Sequence, residues 1–104
     1  MSRITEQDLK YIKDFAERVH AYRQKSGNIE LVRQLGNSMS NAFSLAQQGK
    51  LTKADIHKIT SELVELHHLS YTLGGEKLQA IIMPERDLEY ALARFTSIER
   101  SLKH

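Results

Sequence analysis

Apolar residues recur along this chain at helical spacing. From Thr5 onward, Leu9, Ile12, Phe15, Ala16, Val19 and Tyr22 fall on one side of a 3.6-residue repeat, and Lys25 followed by Gly27 reads as a stop. A second stripe follows Asn28, a suitable cap, and carries Leu31, Val32, Leu35, Met39, Ala42, Phe43 and Ala46 toward Gly49. The third begins at Thr52, carries Ile56, Ile59, Leu63, Leu66 and Leu73, and ends at Gly74 and Gly75, which tolerate positive φ. Pro84 suits the first turn of a last helix, where its missing N–H costs nothing, and Leu88, Ala91, Leu92, Phe95, Ile98 and Leu102 give that helix its stripe. The segment between them, EKLQAIIM at 76–83, is ambiguous: it reads as a short extra helix before Pro84, with a strand as the alternative.

Two of the predicted starts share a phrase. ITEQDLKYI at Ile4 to Ile12 and LTKADIHKI at Leu51 to Ile59 both read apolar-Thr-x-x-Asp-apolar-x-x-Ile. The threonine can cap a backbone N–H, the aspartate three residues on can answer it and favour the positive helix end, and the flanking apolar pair can form a staple. The repetition therefore marks a shared way of starting a helix, not a duplicated domain.

Four amphipathic helices joined by short connections predict an all-α, up-down antiparallel four-helix bundle, since a brief turn returns each helix beside its predecessor. The alternative is a helical hairpin or three-helix unit completed by dimerisation, with the apolar segment before Pro84 serving the contact. At 104 residues the chain suits a single helical domain spanning 1–104. One proline, five glycines and 40% apolar residues strengthen the all-α reading. No window approaches the roughly 18–20 apolar residues of a membrane span, and the start resembles no signal peptide, so the expectation is a cytoplasmic chain with no membrane partner. Without cysteine there can be no disulfide or thiolate metal site.

Charge narrows the partners less. The formal net charge is +2. Lys50, Lys53, His57 and Lys58 gather at the start of the third helix, and Lys10, Lys13, Arg18, Arg23 and Lys25 stud the first, which leaves a nucleic-acid-binding accessory protein as one alternative. Glu6, Asp8, Asp14 and Glu17 interleave the cations of the first helix, however, and no helix-turn-helix spacing is present.

Candidate chemistry rests on histidines. Glu17/His20 and Glu65/His68 have the Glu-x-x-His spacing of di-iron carboxylate bundles. Counting about 100° per residue puts His20 about 100° and Glu17 about 165° from the centre of the first stripe, with Glu65 and His68 about 140° and 160° from the third. Both pairs then face solvent, and Glu30 alone is acidic in the second helix, so no metal ligand set and no cofactor is expected. By the same count His67 lies about 60° from its stripe, at the core edge, while His68 points outward beside His57. His68 is thus the one candidate phosphoryl acceptor, although Tyr71 and Thr72 stand where histidine phosphotransfer domains carry a lysine and a glycine. QQGKLTKAD, the following LHHLSYT and Asp87 are similar to the lactose-type enzyme IIA proteins of the sugar phosphotransferase system over less than half of the chain. That resemblance implies a helical fold and a phosphotransfer role; the first helix has no counterpart in it.

In the second helix Gly36, Ser40 and Ser44 stand four apart, with Asn37, Ser38 and Asn41 among them, a strip of small and polar residues in poor helix formers. It is read as a boundary face, or as a helix contact or partner face. No nucleophile-base-orienter set, phosphate-cradling loop or inward carboxylate pair can be assembled, so no catalytic residue is assigned. The expected function is non-enzymatic: a regulator, inhibitor, adaptor or immunity-type factor acting through a protein partner, with a homodimer as one form of it.

Overall fold

The two repeated phrases begin helices, and they use their aspartates differently. In a computed structural model of the chain, which describes residues 4–26, 30–73 and 84–102, Thr52 and Asp55 cap each other. The Asp55 carboxylate accepts from the Thr52 N–H at 3.0 Å and from its hydroxyl at 2.8 Å, while Thr52 Oγ1 accepts from the Asp55 N–H at 3.4 Å. Thr5 Oγ1 likewise accepts from the Asp8 N–H at 3.0 Å, but the Asp8 carboxylate reaches Arg94, 3.2 Å away near the far end of the chain. The flanking apolar residues behave as staples: Leu51 and Ile56 are buried, and Ile4 and Leu9 pack partly buried on the core.

Four helices follow among the described residues: α1 (Glu6–Ser26), α2 (Glu30–Gln47), α3 (Lys53–Leu73) and α4 (Glu85–Ser101), with no strand. At α2's end the N–H of Lys50 bonds to the carbonyl of Leu45 at 2.9 Å and that of Gly49 to Ala46 at 3.1 Å, the paired closure of a Schellman motif. Gly49 takes the left-handed position this needs, with φ +72°. Pro84 caps α4 from just outside it, with φ −61° and ψ 138°, and so precedes the first turn in which it was expected. Its carbonyl accepts from the N–H groups of Asp87 and Leu88. The expected contributions of Gly27, Asn28, Gly74 and Gly75, and of segment 76–83, lie outside the described residues.

The stripes meet in one core. Ile12, Phe15, Val19, Val32, Leu35, Met39, Ile56, Ile59, Leu63, Leu66, Leu88, Ala91 and Phe95 are fully buried, so one chain supplies all four walls of the bundle. α1 packs on α2, α2 on α3 and α3 on α4. The ring closes through long side chains between α1 and α4. Phe95 packs with its ring tilted against Tyr11 and Phe15 at centroid distances of 5.6 and 5.7 Å, with Tyr90 edge-on to Tyr11 at 5.6 Å. Asp8 meets Arg94 near the start of α1, while Arg18 and Tyr22 meet Asp87 near its end, so α1 and α4 run antiparallel. Tyr11 was not among the expected stripe residues; it is buried because this aromatic seam widens the apolar face of α1. The bundle measures 41 × 22 × 20 Å, its long axis set by helices of about 30 Å. No helix of the described residues is long and apolar enough to cross a membrane.

Candidate functional site

The strip on α2 divides between two neighbours. At about 100° per residue, Gly36 and Ser40 fall on one flank of the buried stripe of α2, and Gln34, Ser38 and Asn41 on the other. The first flank meets α1. A methyl group built on Gly36 would lie 3.6–3.7 Å from the ring of His20 and from Val19, and His20 Nε2 shares a hydrogen bond of 2.9 Å with Ser40 Oγ. His20, expected in solvent, is instead half-buried and turned toward α2. Ser44 is exposed and accepts from the side chain of Gln48 at 3.2 Å.

The Ser40–His20 contact has the nucleophile and base of a hydrolytic site and nothing else of one. Among the described residues no carboxylate bonds to the other ring nitrogen to fix a tautomer. The N–H groups around Ser40 belong to the hydrogen-bond ladder of mid-helix α2, so none is left to stabilise an oxyanion. The arrangement holds two helices together.

The second flank faces α3 across a cleft of about 520 Å³, lined by Gln34, Asn37, Ser38 and Asn41 from α2 and by Lys58 and Glu62 from α3. Each helix contributes positions three or four apart, which stack along one face. All six are polar residue types, though their aliphatic carbons form about half of the lining surface. Gln34 donates its amide to Glu30 at 3.4 Å, which fixes that end of the cleft, while Asn37, Asn41 and Lys58 stand exposed at the rim.

Glu62 is the anomaly in this cleft. It is only 8% exposed, and its Oε1 is buried with no hydrogen-bond partner. Its position explains the burial. Three residues after Ile59 and four before Leu66, it sits on the edge of the apolar stripe of α3, where the helix turns it toward α2. That same spacing is the signal by which it could have been found, but an exposed and a buried boundary position look alike without the facing helix. Elsewhere between helices, carboxylates are engaged. Asp87 accepts from Tyr22 at 2.5 Å and pairs with Arg18 at 3.3 Å, and Asp8 pairs with Arg94 at 3.2 Å. Burial, then the bond to Asp87, pushes the Tyr22 hydroxyl up to about 12, and burial does the same to Tyr11.

The histidines divide as their angular positions suggested. His67 is half-buried and His68 exposed, with His57 exposed 3.7 Å from Glu99 of α4. Glu17 and Glu65 are exposed, and no three His, Asp or Glu side chains among the described residues gather as a ligand set. Asp87, which carried part of the phosphotransferase resemblance, is engaged by Arg18 and Tyr22. On the outer face of α1, exposed Glu6, Lys10, Lys13, Asp14 and Glu17 mix both signs of charge. Compared with protein-family models, curated proteins and solved structures, the chain matches none of them.

Proposed function

We propose that this chain is a non-catalytic binding protein, a regulator or adaptor that receives a partner protein along the α2–α3 cleft. One observation carries the reading: a carboxyl group is held almost completely buried at the cleft wall with an oxygen unpartnered. Leaving such a group unsatisfied costs about 1–3 kcal/mol, and more if it is charged, so a sequence under selection for stability alone would replace it. Oε1 is itself buried, so a partner removes the cost by drawing the Glu62 side chain toward the cleft and supplying the missing donor there.

The form of the cleft supports a protein as that partner. Small-molecule pockets are mostly apolar and enclose most of their ligand. Here every lining residue is a polar type and the cleft is open, with Gln34, Asn37, Asn41 and Lys58 exposed along two helices. Such a groove suits side chains presented by another surface. Nucleic acid fits it less well, because Glu62 would face phosphate oxygens.

A photo-crosslinking amino acid at Asn41, introduced in the producing cell, tests the proposal against the same probe at Lys13 on α1. The expected result is one polypeptide, identified by sequencing its fragments, captured from Asn41 and absent from Lys13. No adduct at Asn41, or the same adducts at both positions, would overturn it. Capture of a second copy of this chain would identify the partner as a homodimer.

A further inference from the structure

We infer that the group the partner places against Glu62 is the guanidinium of an arginine side chain. The inference rests on the reading of the α2–α3 cleft as a protein-binding site and assigns the chemistry of its contact. Glu62 Oε1 lacks a donor, and the same cleft is lined by side chains that are able to accept hydrogen bonds. The amide oxygens of Asn37 and Asn41 and the hydroxyl of Ser38 come from α2, and the Glu62 carboxylate from α3.

A planar fork of five N–H donors matches this arrangement. Once the Glu62 side chain turns its buried oxygen toward the cleft, two donors can lie along the carboxylate while the remainder reach amide oxygens across the cleft. An ammonium is a poorer match, being a compact and strongly hydrated charge that loses more on leaving water, whereas guanidinium is weakly hydrated and is the usual partner of buried carboxylates. The protein's own cation at the site does not fill the role. Lys58 lines the same cleft one turn earlier on α3 yet makes no ion pair with Glu62, and its side chain is exposed.

Titration of the ¹⁵N-labelled protein with N-acetyl-L-arginine amide, followed by NMR, tests this. N-acetyl-L-citrulline amide, in which a neutral urea replaces the guanidinium, serves as the matched control. The expected result is saturable shifts confined to the cleft, at the side-chain amides of Gln34, Asn37 and Asn41 and the backbone of Lys58 and Glu62. Citrulline should bind about tenfold more weakly or worse, and Glu62→Gln should weaken the arginine compound about as much, because removing one partner of a buried charge pair acts mainly on its affinity. Equal responses to the two compounds, no saturable shift, or undiminished binding in Glu62→Gln would overturn the inference. The citrulline comparison needs no variant, so it stands even if Glu62→Gln folds poorly. If a partner is captured at Asn41 but the arginine compound does not bind, the inference fails and the protein-binding reading survives. If arginine binds but no protein is captured, the reading fails and the cleft is a small-cation site.

Discussion

Gly36 and Gly49 stand thirteen residues apart and obey opposite rules. Gly36 lies inside α2, where an added methyl group would find His20 and Val19 at ordinary contact distance, 3.6–3.7 Å. Glycine is therefore not required there, and Gly36→Ala is expected to stabilise the protein by about 0.5–1 kcal/mol through helix propensity. Gly49 has open space around it but sits at φ +72°, so Gly49→Ala is expected to cost about 1 kcal/mol through the backbone alone. Urea unfolding of the two variants checks both signs. Two tyrosines make a second residue-level test. Burial raises the hydroxyls of Tyr11 and Tyr22 to about 12, with the Asp87 bond adding to the effect on Tyr22. The folded state thus holds these protons more tightly than the unfolded chain, whose tyrosines titrate near about 10. Their contribution to stability is complete below about pH 10 and is lost as pH rises from there toward 12. Tyrosinate absorbance should report these two rings ionising together with alkaline unfolding; their ionisation at about pH 10 in the intact fold would contradict the burial seen here.

At the scale of elements, the two matching helix starts differ in coupling. Thr52 and Asp55 bond each other in both directions, whereas Asp8 receives its cap from Thr5 but turns its carboxylate to Arg94. Thr5→Ala and Thr52→Ala are each expected to cost about 1 kcal/mol. In double-mutant cycles, Thr52→Ala with Asp55→Ala should show a coupling of about 0.5 kcal/mol or more, and Thr5→Ala with Asp8→Ala should be additive within about that amount. The caps, stripes and Gly49 terminus were legible in the sequence because each is specified by residues within one or two turns. Tyr11, the His20–Ser40 contact and Glu62 were not, for a common reason. Each lies at the edge of its stripe, and whether an edge residue meets water, a ring or a helix is decided by a neighbour distant in sequence. The paired histidines drew notice because histidine is chemically versatile, yet it is Glu62, five residues before His67, that the fold leaves unsatisfied.

Over the whole molecule, stability and binding make opposite demands on the α2–α3 interface. The apolar stripes complete a core without help from the cleft, and the α1–α4 seam engages Asp8, Asp87 and Tyr22 in hydrogen bonds or ion pairs. Only at α2–α3 does the bundle retain a buried carboxyl oxygen without a partner among the described residues. If that group serves the fold, removing it weakens the protein. If it is retained for a partner, the isolated chain is better off without it. Glu62→Met separates these cases, since methionine has a comparable helix propensity, a similar length and no polar atom to satisfy. Urea unfolding of Glu62→Met against the unaltered chain is expected to show a higher midpoint and a gain of about 1–3 kcal/mol. A loss of about 1 kcal/mol or more would show that Glu62 holds the bundle together and would contradict the account of the cleft as a binding site.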